Sequence, residues 1–170
     1  MFIRRPLGRP LRTPLSIAAM GLGLTTCTSG TTAMTQAELT DFATRYAAAW
    51  SGQNPDSLAF FYAENGSLTV NAGPPSIGRA AIRATAQGFM TGFPDMLVVM
   101  DSVVGHGTHA VFHWTWTGTN TGSGGTGRAV RLQGYEEWTL GPDGLIAASE
   151  GHYDEADYER QLQSGALSAE

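Results

Sequence analysis

The sequence has 170 residues, enough for one domain of ordinary size but not for two. Hydrophobic residues make up 42% and charged residues 15%, a composition that argues against wholesale disorder. All ten basic residues are arginine, and four of them precede the first acidic residue, Glu38. Six basic residues then face 15 acidic ones. So acidic a domain repels phosphate backbones, and we expect no nucleic-acid partner.

Residues 1–34 have the layout of an export signal and a tether. Four arginines come before a short apolar run, residues 15–24, which is too short to span a bilayer. The next residues, Leu24-Thr25-Thr26-Cys27, resemble the lipobox of bacterial lipoproteins, although Thr26 stands where Gly, Ala or Ser is usual. We expect an exported cell-envelope lipoprotein held to the membrane only by a lipid on Cys27, with cleaved export as the alternative. If translation starts at Met34, the protein is cytoplasmic.

The predicted domain covers residues 35–165 and leaves a tail, 166–170. Thr35 and Glu38 form a capping box, and apolar residues then recur at helical spacing, which predicts a helix over about 36–52. Asn54-Pro55 predicts the start of a short second helix that ends at the turn Glu64-Asn65-Gly66. Its apolar side consists of Leu58, Phe61 and Tyr62.

The later part of the domain changes from helical to β character. A short strand is expected over 67–71 and a third helix over 79–93. Period-2 patterning predicts strands at 96–104, 109–119, 128–140 and 145–153, and short connections imply antiparallel neighbours. A C-terminal helix follows over 154–163. This order predicts an α+β fold with three helices packed on one face of a curved, mainly antiparallel sheet.

Several motifs, together with the element order, resemble the SnoaL-like branch of the nuclear transport factor 2-like superfamily over about residues 38–162. The motifs are Phe93-Pro94-Asp95, Trp114 to Thr119, Thr126-Gly127-Arg128, and Asp154 followed by Arg160-Gln161-Leu162. The resemblance implies a cone-shaped fold whose mouth holds a small apolar molecule. Members of the superfamily differ in their catalytic residues, so the fold alone does not name a reaction.

Asp154 is the first candidate catalytic residue. It matches the carboxylate that SnoaL-like polyketide cyclases use as general acid and base, and a desolvated carboxylate there would have a raised pKa. The competing interpretation is that Asp154 caps the C-terminal helix. His152 and Glu150 lie on the same side of the last strand and join it as candidates for catalysis and substrate binding. A shift of one residue would instead bring Ser149, Gly151 and Tyr153 to the cavity.

Four further binding candidates come from the earlier elements, and a fifth from the pattern of tryptophans. By similarity to ketosteroid isomerases, Glu136 takes the place of the protonated carboxylic acid of the oxyanion hole and Tyr46 that of the tyrosine. The competing interpretation is that Tyr46 is an ordinary core aromatic on the apolar face of the first helix. The isomerase base would fall near Asn71, which cannot abstract a proton. Gln133, on the alternate face of the strand that carries Glu136, is also a candidate. Trp114 alternates with polar residues and is expected to form an aromatic wall.

These observations predict a small-molecule domain without a metal or organic cofactor. Cys27 is the only cysteine, and no fixed ligand spacing supports a metal site. The expected ligand is a small hydrophobic carbonyl or polycyclic compound, handled by acid/base catalysis of the cyclase or isomerase type. The alternative is a non-catalytic, envelope-anchored binding or assembly module. In either case we expect a homodimer.

Overall fold

The computed structural model describes residues 34–166. Cys27 and the rest of the predicted signal and tether up to residue 33 lie outside the described residues, as does the end of the tail. Between residues 34 and 166, no helix is both long enough and apolar enough to cross a membrane.

Four helices and six strands form from the described residues. The helices are α1 (Gln36–Ser51), α2 (Pro55–Ala59), α3 (Arg79–Gly92) and α4 (Glu155–Ser164). The strands are β1 (Tyr62–Val70), β2 (Ser76–Ile77), β3 (Leu97–His106), β4 (His109–Thr119), β5 (Ala129–Leu140) and β6 (Ile146–Tyr153). The predicted α+β class is confirmed.

Helix α1 forms as its sequence predicts. The backbone N–H of Glu38 donates to the Thr35 hydroxyl, and the Glu38 carboxylate accepts from the backbone N–H of Thr35, which completes the capping box. The apolar stripe of the helix faces the core. Its buried residues are Leu39, Phe42, Ala43, Tyr46, Ala47 and Trp50.

The prediction for residues 60–66 is wrong. Helix α2 ends at Ala59, and Tyr62 begins β1 instead of completing a helical face. Tyr62 pairs with Ile146 of β6, and the register then shifts before Ser67, so Glu64-Asn65-Gly66 lies in an irregular part of the strand. Burial of Tyr62 and pairing with β6 override a local pattern that fits a helix equally well. The two-residue strand β2 is too short for a period-2 signal and was not predicted.

The six strands form one sheet in the order β2-β1-β6-β5-β4-β3. Neighbours are antiparallel except β1 and β6, which are parallel. Helix α1 contacts β3, α3 contacts β1 and β2, and α4 contacts β5. The inner face of the sheet and helices α1 and α3 enclose the hydrophobic core.

Gly134 in β5 permits the Trp114 ring and the backbone of β6 to approach β5 closely. A Cβ atom at this position would overlap the ring of Trp114 on β4 and the backbone carbonyl of His152 on β6. The missing side chain therefore lets the Trp114 ring approach β5 closely. Gly88, by contrast, lies in the exposed part of α3, and a Cβ atom there would meet nothing within 4 Å.

We predict opposite effects of alanine at these two glycines. Gly134→Ala forces the Trp114 ring or β6 to move and should destabilise the fold by about 2 kcal/mol. Gly88→Ala adds helix propensity without a clash and should stabilise it by about 0.5 to 1 kcal/mol. Urea unfolding of the two variants measures both values. Equal stability of the two variants would contradict the close approach at Gly134.

Candidate functional site

A cavity of about 70 Å³ lies between the inner face of the sheet and helices α1 and α3. Every strand except β2 contributes to its wall. The lining residues are Trp50, Leu68, Val70, Phe89, Met96, Val98, Trp114, Trp116, Glu136, Gly151 and Tyr153. The wall is therefore almost wholly apolar and aromatic, and Glu136 is the one carboxyl group among these residues.

Glu136 faces the core because residues of β5 alternate between the two sides of the sheet. Leu132, Glu136 and Trp138 are buried on the inner side, whereas Gln133 and Glu137 are exposed on the outer side. Of the two adjacent glutamates, Glu136 is the one that points inward, and it is 6% exposed. Across the sheet it pairs with Gly151 of β6.

Three hydrogen bonds converge on one carboxyl oxygen of Glu136, Oε2. The Ser149 hydroxyl donates to it at 2.6 Å, the Trp138 indole N–H at 2.9 Å and the Tyr46 hydroxyl at 2.9 Å. The Tyr62 hydroxyl lies 2.8 Å from that of Tyr46. Since Tyr46 uses its own proton on Glu136, Tyr62 donates to Tyr46. The two tyrosines thus form a short chain that ends at Oε2.

The other carboxyl oxygen, Oε1, is left for a ligand. Within residues 34–166 no hydrogen bond reaches it. In that range, the only fully buried side-chain nitrogen or oxygen atoms without a hydrogen-bond partner are the indole nitrogens of Trp114 and Trp116. Because Oε1 has no partner and is not among them, it is not fully buried. A neutral carboxylic acid accepts through one oxygen and donates through the other. With Oε2 occupied by donors, Oε1 is the oxygen that would carry the proton when Glu136, a residue of the cavity wall, is neutral.

Burial raises the pKa of Glu136. The hydrogen bonds from Ser149, Trp138 and Tyr46 act in the opposite sense, because they stabilise the carboxylate, but they do not cancel the loss of hydration. Burial, reinforced by the charge of Glu136, also raises the pKa of Tyr46 and that of Tyr62 well above the usual tyrosine value. Both tyrosines therefore stay protonated as donors, and Glu136 is the group of this network that exchanges its proton most readily.

Two tryptophan side chains in the wall have unsatisfied donors. Trp114 is 8% exposed and Trp116 is 5% exposed, and within the described residues neither indole N–H has a hydrogen-bond acceptor. An unpaired buried N–H costs about 1 to 3 kcal/mol, so each is a polar group that would gain from an acceptor. The prediction that Trp114 forms an aromatic wall agrees with its position.

The structure places Asp154 outside the cavity. Asp154 is the exposed N-cap of α4, and its side chain accepts from the backbone N–H of Asp157 at 2.9 Å. The capping interpretation, rather than the catalytic one, matches this geometry. His152 and Glu150 also lie away from the cavity, on the outer side of β6, and the alternative set of Ser149, Gly151 and Tyr153 faces inward. The physical reason is register: Gly151 opposes Glu136, so its neighbours must point the other way.

The three remaining predicted residues, Gln133, Asn71 and Tyr46, do not line the cavity. Gln133 is exposed on the outer side of β5 and does not line the cavity. Asn71 follows β1 with a positive φ of 47°, and its side-chain oxygen accepts from the backbone N–H of Tyr153. Its role in the structure is to join β1 to β6. Tyr46 is fully buried behind Glu136 and orients the carboxyl group without lining the cavity.

Tyr62 was not predicted as part of the site, and Ser149 was predicted to face the cavity only in the alternative register. A signal for Ser149 exists, because a small polar residue two positions before Gly151 shares the face of that glycine. No comparable signal marks Tyr62. Trp50 and Phe89, which complete the aromatic wall, were predicted only as apolar helix residues.

A second, wider depression between α1 and β3 has a volume of about 530 Å³. Its lining residues are Thr44, Ala47, Ala48, Ser51, Gly52, Leu97, Val98, Val99 and Met100. It is a shallow surface cleft without a titratable side chain. The smaller cavity at Glu136 is therefore the better candidate for chemistry.

Comparison with known families decides where this chain belongs. Residues 43–149, well over half of the sequence, match the family model described as "SnoaL-like domain". The chain belongs to the SnoaL-like family. No protein of curated function matches it.

Solved structures show the same fold at low identity. A protein with a ketosteroid isomerase-like fold from Catenulispora acidiphila, in complex with trimethylamine, is 18% identical, with a TM-score of 0.66 over 72% of this chain and 92% of that chain. A candidate SnoaL-like polyketide cyclase from a Jannaschia species is 17% identical, with a TM-score of 0.65 over 74% and 91%. TerC, co-crystallised with polyporic acid, is 14% identical, with a TM-score of 0.63 over 73% and 97%. These likenesses establish the SnoaL-like fold and leave the reaction open.

We predict that Glu136→Gln changes how stability depends on pH. Because the folded-state pKa of Glu136 is raised, the folded state binds its proton more tightly than the unfolded state does. Wild-type stability from this group is complete below the ordinary pKa of 4.5 and falls as pH rises through the raised value. The loss is about 1.4 kcal/mol for each unit by which the pKa is raised. The glutamine variant lacks this loss.

Urea unfolding of wild type and variant across this pH range tests the prediction. Glu64→Gln is the control, because it alters an exposed glutamate of β1 that forms no ion pair within residues 34–166. The stability of Glu136→Gln relative to wild type should increase with pH, and that of Glu64→Gln should not. A relative stability of Glu136→Gln that stays constant with pH would show that the buried carboxyl group is not perturbed.

Proposed function

We propose that this SnoaL-like domain binds the carbonyl end of a small hydrophobic molecule, with Glu136 as hydrogen-bond donor and proton-transfer group. The observation that carries the proposal is the difference in surroundings between the two carboxyl oxygens of Glu136. Three protein donors occupy Oε2, and Oε1 remains available to an apolar cavity. A ligand with one acceptor oxygen and an apolar body complements that arrangement.

The size of the cavity limits what enters it. A buried water needs about 10 to 15 Å³ of such volume, so 70 Å³ holds roughly five water molecules or one ring of similar size. A polycyclic compound could insert only one end. We therefore favour a monocyclic ketone, or the carbonyl-bearing ring of a larger molecule, as the group that contacts Glu136.

The raised pKa of Glu136 suits a carbonyl partner. At a given pH it increases the fraction of the neutral acid, which can donate to the carbonyl oxygen through Oε1. Such a hydrogen bond holds the carbonyl group at Glu136 and polarises it. Tyr46 and Tyr62 contribute by fixing the carboxyl orientation from behind.

Catalysis would have to use this single carboxyl group. Among the lining residues, Tyr153 is the only other titratable side chain, and because burial raises its pKa it stays protonated at neutral pH and cannot accept a proton. The carboxylate form of Glu136 would take the proton from the carbon next to the carbonyl, while an indole N–H of Trp114 or Trp116, neither of which has an acceptor within residues 34–166, would donate to the enolate oxygen. The acid form of Glu136 would then return the proton to carbon. This is proton exchange or isomerisation rather than a two-group reaction.

A matched pair of probes tests binding. Cyclohexanone and methylenecyclohexane have the same shape, but only the first carries a carbonyl oxygen. Wild type should bind the ketone about fivefold more tightly, because one hydrogen bond adds about 1 kcal/mol. Affinities can be measured by NMR titration that follows the indole N–H signals of Trp114 and Trp116. Equal affinity for the two probes would contradict the proposal.

Deuterium exchange in heavy water tests catalysis separately. If Glu136 transfers protons, the protein should accelerate exchange of the hydrogens next to the cyclohexanone carbonyl. Glu136→Gln keeps an acceptor for the three protein donors and an N–H donor for the ligand, so it should retain the ketone preference and lose the exchange. Glu137→Gln should change neither. A ketone preference without exchange in wild type would leave the domain as a non-catalytic binding module.

A second candidate ligand is a small alkylammonium ion. Trp50, Trp114 and Trp116 supply aromatic faces, and no arginine or histidine lines the cavity to oppose a cation. The similar structure with trimethylamine is consistent with this candidate. The two candidates differ in pH dependence: ammonium binding strengthens as Glu136 loses its proton, whereas carbonyl binding strengthens as Glu136 gains it. Titration with tetramethylammonium over the same pH range as cyclohexanone separates them.

A further inference from the structure

The outer side of the sheet carries a cluster of metal-ligating side chains, separate from the cavity. The carboxylates of Glu137 and Glu150 and the imidazole of His152 place one ligand atom each within 4.8 Å of one another. None of these residues lines the cavity at Glu136. Because the sheet separates the two sites, a function of this cluster would be independent of the proposed carbonyl binding.

Strand pairing brings the three side chains together. Glu137 of β5 is directly opposite Glu150 of β6, and Tyr135 is directly opposite His152. Residues 137, 150 and 152 are therefore neighbours on one face of two hydrogen-bonded strands, although 13 positions separate the two glutamates in sequence. A spacing rule applied to the sequence does not detect such a site.

The cluster lacks a protein partner for its charge. Like charges directly opposite each other destabilise a strand pair, and Glu137 and Glu150 are such a pair. In the region from Met34 to residue 166, the ion pairs are Arg45–Asp41, Arg83–Asp56 and Arg160–Asp157, so none neutralises these carboxylates. A divalent cation would relieve the repulsion that the sheet register imposes.

The imidazole of His152 is held at the cluster by an aromatic neighbour. The ring of Tyr135 lies 4.8 Å from that of His152 at an interplanar angle of 30°. On the other side of Tyr135, 5.8 Å away, is the ring of His113. His113 shares the face and the tyrosine but does not belong to the three-residue cluster.

We propose that Glu137, Glu150 and His152 bind one late first-row divalent cation such as Zn²⁺. Two carboxylate oxygens and one imidazole nitrogen are ligands that Zn²⁺ accepts, and the nitrogen disfavours Ca²⁺ and Mg²⁺. Around tetrahedral Zn²⁺ the ligand atoms would lie about 3.3 Å apart, so the two exposed glutamates and the half-buried histidine need only small rotations. The fourth position would hold water.

Isothermal titration calorimetry of the untagged, chelator-washed protein with zinc chloride tests the proposal. We expect one ion per chain with a dissociation constant in the micromolar range. His152→Ala should weaken binding by about tenfold or more, since it removes one of three ligands. Glu137→Gln and Glu150→Gln should weaken it similarly. His113→Ala is the matched control, because it removes an exposed histidine on the same face, and it should leave the affinity unchanged.

Two results would overturn the site. One is the absence of zinc binding tighter than millimolar in wild type. The other is binding that persists in His152→Ala or is lost in His113→Ala, which would place the ion elsewhere. Imidazole NMR signals give an independent readout, because zinc should shift those of His152 before those of His113. Circular dichroism without metal verifies that every variant is folded.

Discussion

The burial of one carboxyl group organises the centre of this domain. Moving a carboxylate out of water costs several kcal/mol unless donors replace its hydration. Here the hydroxyls of Ser149 and Tyr46 and the indole N–H of Trp138 replace it on Oε2. Those donors come from α1, β5 and β6, so the carboxyl group connects the helical layer to the sheet. Removing the acid would leave three buried donors without an acceptor, and keeping it leaves Oε1 without a protein donor among residues 34–166.

The aromatic residues around Glu136 make that interaction stronger. The Tyr46 ring makes an edge-to-face contact with Trp138 at 5.0 Å, and Phe112 stacks on Trp138 at 4.9 Å. Because these rings are packed against one another, they do not move aside to admit water, and the surroundings of the carboxyl group stay apolar. Because of the same rigidity, the site favours the neutral acid form of Glu136 or a contact between Glu136 and a ligand dipole. Aromatic side chains make up much of the wall of the cavity, and its volume is about 70 Å³.

The sequence allows prediction of much of the fold, because the signals are local. The capping box at Thr35 and the period of α1 predict that helix and its buried face, and the alternation in β5 predicts that one of two adjacent glutamates points inward. The sequence does not show which face of β6 points to the core, since period-2 patterning does not say which of the two alternate sets of residues faces inward. Pairing of Gly151 with Glu136 decides it. Likewise, Asp154 stands where a strand ends and a helix begins, and only the structure distinguishes a cap from a cavity residue.

Both sides of the sheet carry carboxylates, and their surroundings give them different chemistry. Glu136 is buried with donors and exchanges its proton at a raised pKa, whereas Glu137 is exposed beside Glu150 and His152. Carbon-detected NMR of the Glu136 side-chain carboxyl group, assigned by comparison with Glu136→Gln, measures its pKa directly. We predict a midpoint above the ordinary value of 4.5, and a further rise in Ser149→Ala. A midpoint at or below 4.5 would contradict the role proposed for Glu136.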